Sequence, residues 1–323
     1  MLSNLARVWL ARDPAATCVV LDAAPQDELA AAFFAPVRNR LTFIQADVRQ
    51  PEMWKGLLSR HVITHVVHGA AVTPSLERER REPLLVLEVN LMGTVNLLEW
   101  ACRQSSVKRF IYVSSGAVYG DSQAAAMGEP VREDNPADPH KLYAISKVAS
   151  EQIVRRYGEL FGLEVASVRF SSVYGPMDRE TATRSVQSIP YRLAHLALTG
   201  NPIRVYGLEG GGDWIHVEDV AAALVELLYA PELSYGLYNV AYGEFVTLGE
   251  LLDIMHEAVP GLEYTVTTRE QADIAAEPER RGGGWGAYDT SRLREVGGWE
   301  PRPLHEALTS YVAWLRLHEG GGV

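Results

Sequence analysis

Apolar residues along the first half of the chain recur in two alternating rhythms. Leu2, Leu5, Ala6, Trp9 and Leu10 fall at helical spacing, so residues 1–11 are predicted to form a helix that Asp13-Pro14 ends. Short β-rich runs follow at residues 17–21, 41–46 and 64–67, finishing at Asp22, at Asp47 and at His68-Gly69-Ala70-Ala71. Helical patterns lie between them at residues 27–34 and 51–58. A long amphipathic helix is predicted over 84–103, a buried strand over 109–113 ending in Ser114-Ser115-Gly116, and another strand over 164–170. Strands alternating with helices on short connections give an α/β fold with a doubly wound parallel sheet covered on both faces. After Tyr174-Gly175-Pro176 the loops lengthen, with helices predicted over 191–198, 217–228, 248–258 and 304–317. The chain thus divides into a sheet domain, residues 1–175, and a smaller lobe, residues 176–323, whose chain is expected to cross back to the sheet.

The composition, 47% hydrophobic and 22% charged in 323 residues, supplies material for an ordinary globular core. A formal charge of −11 without a Lys/Arg block argues against nucleic acid or an anionic membrane as partner. Cys18 and Cys102 sit in apolar segments and read as buried thiols of a reducing compartment, so a cytoplasmic location is expected. No apolar run is read as long enough to span a membrane. No metal site is expected: His65 and His68 would point to opposite faces of a strand.

The chemistry concentrates at strand ends and on one helix. In an open parallel sheet ligands bind beyond the carboxyl ends of the strands, where Asp22, Asp47, Gly69 to Ala71 and Ser114 to Gly116 stand. An acid ending a dinucleotide-fold strand binds the adenosine ribose and repels a 2′-phosphate, so Asp22 points to NAD; it reads equally well as a loop cap. Tyr143 and Lys147 are four apart on a predicted helix and share a face. A phenol of pKa about 10 is a poor base at neutral pH, but an adjacent ammonium favours the phenolate and makes the pair a proton-transfer device for an alcohol or ketone.

Taken together the chain resembles an extended short-chain dehydrogenase/reductase of the NAD-dependent epimerase and dehydratase family. The matching stretches are Val19-Val20-Leu21-Asp22, Ala46-Asp47-Val48, Val67-His68-Gly69-Ala70-Ala71 and Asn90-Leu91-Met92-Gly93-Thr94. They continue with Tyr112-Val113-Ser114-Ser115-Gly116-Ala117-Val118-Tyr119-Gly120, Tyr143-x-x-x-Lys147, Val168-Arg169-Phe170-Ser171-Ser172-Val173-Tyr174-Gly175-Pro176 and Asp213-Trp214-Ile215-His216-Val217. The resemblance implies a Rossmann-like sheet domain that binds NAD and a C-terminal lobe that binds substrate. It implies Tyr143 as general acid/base, Lys147 as the ligand of the nicotinamide ribose that lowers the tyrosine pKa, and Ser115 as the hydroxyl on the reacting oxygen. Asp22 would hold the adenosine ribose, Asp47 and Val48 would flank the adenine, and Gly69, Ala70, Ala71 and Asn90 would line the cofactor channel. Phe170 and Val173 would lie near the nicotinamide, and Thr73, Ser115 and Ser172 near a sugar-like substrate. A homodimer through residues 91–100 and 148–157 is also implied.

The departures from the family narrow these expectations. The family opens with a strand and a Gly-rich pyrophosphate turn, whereas here Met1 to Ala6 resembles the segment just past that turn. The chain is therefore expected to be truncated, lacking a strand that belongs between the 17–21 and 64–67 strands. Family dehydratases carry acids just after the hydroxyl position; Gly116-Ala117 makes elimination an unexpected outcome. Ser172 and Gly212 stand where nucleotide-sugar enzymes usually have Asn and Arg, with Arg280 or Arg281 as a substitute for the latter. The substrate is accordingly read as a sugar or nucleotide sugar with a secondary alcohol or ketone. Epimerase and dehydrogenase both remain open, a free sugar or sugar acid competes, and a non-catalytic binding protein is the alternative of another class.

Overall fold

The computed structural model describes residues 1–120, 123–184, 187–276 and 286–318. Five parallel strands form the central layer: β1 (Cys18–Asp22), β2 (Leu41–Gln45), β3 (His65–His68), β4 (Arg109–Val113) and β5 (Glu164–Phe170). They fall into two hydrogen-bonded pieces. β1 pairs with β2, while β3, β4 and β5 pair in that order and the strand Leu237–Val240 extends the second piece beyond β5. Among the described residues no strand joins the two pieces.

Side-chain alternation shows how the pieces stay together. On one face Val19 and Leu21 of β1, Ile44 of β2, Val66 of β3 and Phe110 and Tyr112 of β4 share one core with Trp54, Leu98 and Trp100. On the other face the helix α1 (Leu2–Arg12) spans both pieces. Its Leu5 joins the core of Ile111, Val113 and Val168, and its Ala6 and Leu10 pack with Cys18, Val20, Phe33 and Phe34. The predicted helices at 27–34 and 51–58 are found as Glu28–Phe34 and Pro51–Leu58, begun by Asp27 as cap and by Pro51 at the first turn.

Two expectations change here. The 84–103 helix begins at Pro83 and is not uniform: a widened π turn, Glu88–Met92, separates Pro83–Leu87 from Gly93–Ala101. The composite Pro83–Ala101 is also, by length and composition, an apolar run long enough to cross a membrane, contrary to the reading of the sequence. The polar positions Asn90, Thr94 and Asn96 disguised it; Val86, Asn90, Thr94, Leu98, Trp100 and Ala101 are buried in this fold, as a core helix requires.

The second half builds its own core from Leu193, Val205, Trp214, Leu251, Met255, Leu308 and Tyr311, around a three-stranded sheet of Tyr264–Val266, Ile203–Tyr206 and Ile274–Ala275. Its chain returns to the sheet through Leu237–Val240 and through the helix Val217–Tyr229, whose Val220, Leu224 and Leu228 share a core with Leu5 of α1.

His65 and His68 do point to opposite faces: His65 meets Trp9 of α1 edge-on, and His68 lies against Phe110 and Tyr112. Burial pushes the His68 imidazole down to about 3, Lys147 adding to the effect. Its folded pKa is below the unfolded value, so the stability it confers is present above about 6.5 and is lost as pH falls. His68→Gln is expected to be destabilising at pH 7, and its penalty should shrink by about 2 kcal/mol at pH 5. Paired urea unfolding of wild type and variant at the two pH values measures this difference; a penalty independent of pH contradicts a neutral buried His68.

Candidate active site

The helix Leu142–Phe161 starts where Pro139 stops the preceding chain, and Glu79 accepts its first free N–H, that of Leu142, at 2.7 Å. It ends on Gly162 in the left-handed conformation. Tyr143 and Lys147 fall on its inner face, under the end of β4. Lys147 is 2% exposed; its Nζ donates to the carbonyl of Val113 at 2.7 Å. The same Nζ lies 4.9 Å from the ring centre of Tyr112 and 5.7 Å from that of Tyr143.

Ser115 follows the last residues of β4. Its Oγ accepts the Ala117 N–H at 3.2 Å and so caps the tight turn Gly116–Tyr119. The side chains of Ser115 and Thr73 lie beside the Tyr143 phenol, and each lowers its pKa. Thr73 is held from the opposite side, because its N–H donates to the Thr183 carbonyl at 2.8 Å and its backbone bridges Arg184. Four predicted residues, Thr73, Ser115, Tyr143 and Lys147, therefore converge from β3, β4 and one helix.

The electrostatics differ from the sequence reading. Tyr143 sits above its ordinary pKa, not below: burial outweighs the lowering influence of Ser115, Thr73 and Arg184. Lys147 is pushed down to about 7 by burial, with Glu151 acting in the opposite sense. The cation acting on Tyr143 is thus Arg184, a residue that no sequence signal marked. At neutral pH the phenol is the proton-bearing form and Lys147 is poised between its two forms.

Asn90 acts at one remove. The π turn leaves its carbonyl free to accept Thr94 Oγ1 at 2.6 Å and Ser150 Oγ at 3.1 Å. Its side-chain oxygen accepts the Val72 N–H at 2.7 Å, and its Nδ2 donates to Val72 O and to Ser146 Oγ, each at 3.1 Å. Asn90 thereby ties the loop that carries Thr73 to the helix that carries Tyr143.

The remaining candidates are more dispersed. Asp22 is exposed at the end of β1, one carboxylate oxygen accepting Ala24 N–H at 2.9 Å. Asp47 lies two residues past β2 and is engaged by Arg49 at 2.7 Å, and Val48 is a core residue packed on Gly93. Gly69 is closed over by the Leu2 side chain, with Ala70 and Ala71 half-buried beside it. Phe170 is buried and Val173 packs against the same core, while Ser172 pairs with Trp214. Arg280, Arg281 and the glycines at 282–284 lie outside the described residues. Tyr288 was not anticipated: its hydroxyl fills the room that a side chain at Gly116 would need. Buried Asp213, pushed up to about 6 by burial, holds Tyr288 there by accepting its N–H and those of Tyr242 and Gly243.

Comparison with known proteins shows the family and the fold. The sequence model described as "NAD dependent epimerase/dehydratase family" matches residues 3–241. The chain is 30% identical to a UDP-glucose 4-epimerase of Mycolicibacterium smegmatis over 86% of its length and 84% of that protein. It is 29% identical to a dTDP-glucose 4,6-dehydratase of an Actinoplanes species over 86% of its length and 81% of that protein. The crystal structure of Thermus thermophilus UDP-glucose 4-epimerase in complex with NAD superposes with a TM-score of 0.73 at 29% identity, covering 99% of this chain and 96% of that one.

The donors and acceptors present fit the two ends of NAD. The Lys147 ammonium has three N–H donors and gives one to Val113 among the described residues, which leaves two for ribose hydroxyls. Asp22 presents an exposed carboxylate suited to a ribose diol.

The dependence of Thr73 on Asn90 is testable. Asn90→Ala leaves both backbone groups of Val72 without partners and is expected to cost about 2–4 kcal/mol. Denaturant unfolding measures it; a loss below about 0.5 kcal/mol would show that the loop is held by other contacts.

Proposed function

The chain belongs to the NAD-dependent epimerase/dehydratase family, and on that premise we propose that it is an NAD-dependent epimerase or oxidoreductase of a nucleotide sugar. The reaction centre is a secondary alcohol or its ketone. The observation that supports this reading best is the meeting of Ser115, Thr73 and Lys147 around the single phenol of Tyr143. When bound, NAD supplies the hydride acceptor. Asp22 would hold its adenosine ribose, with Asp47 and Val48 near the adenine. Gly69, Ala70 and Ala71 would line its path, and Lys147 and Tyr143 would meet the nicotinamide ribose, with Phe170 and Val173 at the ring. Tyr143 Oη exchanges the proton of the substrate hydroxyl, and Ser115 Oγ donates a hydrogen bond to the same oxygen as it gains carbonyl character. Thr73 and Ser172 flank the sugar.

Elimination of water is disfavoured in this reading. It requires a carboxylic acid next to the Ser115 position, and there the chain has Gly116, whose side-chain room Tyr288 occupies. A free sugar or sugar acid is the second reading, favoured by Ser172 and Gly212, which offer a nucleotide diphosphate neither amide nor guanidinium. A homodimer is in keeping with the apolar outer faces of two long helices, where Leu84, Met92, Leu160 and Phe161 are exposed.

Incubating the protein with NAD and a panel of UDP-sugars, free sugars and sugar acids separates these outcomes. Epimerisation predicts inversion of one sugar carbon by proton NMR without net NADH, and dehydrogenation predicts NADH in proportion to product. Absence of turnover across the panel, with NAD bound, would overturn the catalytic reading.

A further inference from the structure

A buried charged cluster beside the Tyr143 helix has no part in the scheme above. Glu151 lies one helical turn beyond Lys147 and two beyond Tyr143, on the same inward face, and is 5% exposed. Its carboxylate is fixed on all sides. Arg169 of β5, itself 4% exposed, donates Nε to Oε1 at 2.9 Å and Nη2 to Oε2 at 2.7 Å. Ser114, the residue before Ser115, donates its hydroxyl to Oε1. The Arg169 guanidinium in turn lies over the Tyr119 ring, 4.6 Å from its centre, and Tyr119 donates its hydroxyl to Asn239 at 2.6 Å.

We propose that Glu151 is a positioning residue for the Tyr143–Lys147 pair: clamped by Arg169 and Ser114, it supplies the negative charge that keeps Lys147 protonated inside the protein. The proposal rests on the reading of Lys147 as part of the active site, and it concerns how that residue stays charged where water is absent.

The surroundings of Lys147 leave little else for this task. From β4 it meets the Val113 carbonyl and the Tyr112 ring; from β3 it faces His68, whose imidazole is neutral; from its own helix it faces Tyr143 and Glu151. Among the described residues Glu151 is the one carboxylate that acts on it, raising its pKa against burial. Among the described residues no ion pair joins Lys147 to Glu151, so the charge acts across one helical turn. That separation has a use. A direct pair would occupy the ammonium donors, whereas a carboxylate held back by Arg169 stabilises the charge and leaves the N–H groups free for a ribose. Arg169 makes the buried carboxylate tolerable by pairing it at two atoms. Ser114 ties the same carboxylate to the strand that delivers Ser115, so proton carrier, cation and hydroxyl share one anchor.

The test reads the protonation of Lys147 directly and needs neither substrate nor cofactor. The chain has four lysines, Lys55, Lys108, Lys141 and Lys147, so carbon-13 labelling of lysine gives four Cε resonances, with Lys147 assigned from Lys147→Arg. In wild type the Lys147 midpoint should stand near neutral pH. Glu151→Gln is expected to lower the Lys147 midpoint by about one pH unit or more and to leave the other three unmoved; Glu151→Asp should restore most of the shift. Glu151→Gln leaves a buried guanidinium unpaired, so if it does not fold, Glu151→Gln with Arg169→Met removes both charges. That pair should still lower the midpoint, by less. A Lys147 midpoint unchanged in the folded variant overturns the proposal, whatever substrate the protein turns over. A merely structural Glu151 would lower thermal stability and leave the midpoint where it was.

Discussion

An ammonium group shut inside a protein is the constraint around which this site is arranged. Lys147 loses nearly all of its water, and burial drags its pKa down towards neutrality. What compensates is local: the Val113 carbonyl at the end of β4, the π faces of Tyr112 and Tyr143, and the carboxylate of Glu151 one turn away. Each partner belongs to an element whose position is set by packing, so the charge is tolerated only when the strand, the helix and the loop carrying Thr73 are all in register. The same burial holds the Tyr143 phenol protonated, which suits the proton exchange proposed for it.

The sheet that delivers these residues is supported unevenly. β3, β4 and β5 form a continuous ladder under the helix that carries Tyr143, and the segments after β3 and β4 carry Thr73 and Ser115. β1 and β2 make a separate ladder, joined to the first by shared cores on both faces and by α1, which packs on each. Tyr143 and its neighbours therefore stand on the continuous ladder, and Asp22 on the other.

Most of the fold was legible because each strand is a short apolar run bounded by polar turns, and each helix keeps an apolar stripe. Ser115, Tyr143 and Lys147 were legible for a different reason: the helical spacing of the pair and the strand-end hydroxyl survive as linear patterns. Residues that act through long-range contacts left no such trace. Arg184 reaches Tyr143 from a loop forty residues downstream, Tyr288 fills the space over Gly116 from the end of the chain, and Arg169 reads in sequence as one more position in a buried strand. Glu151 had a signal, four residues after Lys147, but i,i+4 acid–base pairs are common on solvated helices and only burial gives this one meaning. The sign of the Tyr143 shift was misjudged because sequence shows Lys147 four residues on and not the burial that raises the phenol's pKa.

The account stands on Tyr143 as the proton carrier, and one substitution addresses it. With NAD and the best substrate from the sugar panel, turnover by Tyr143→Phe should fall by about 10²–10⁴-fold while near-ultraviolet circular dichroism stays that of the wild type. Turnover at the wild-type rate by a folded Tyr143→Phe protein would contradict it.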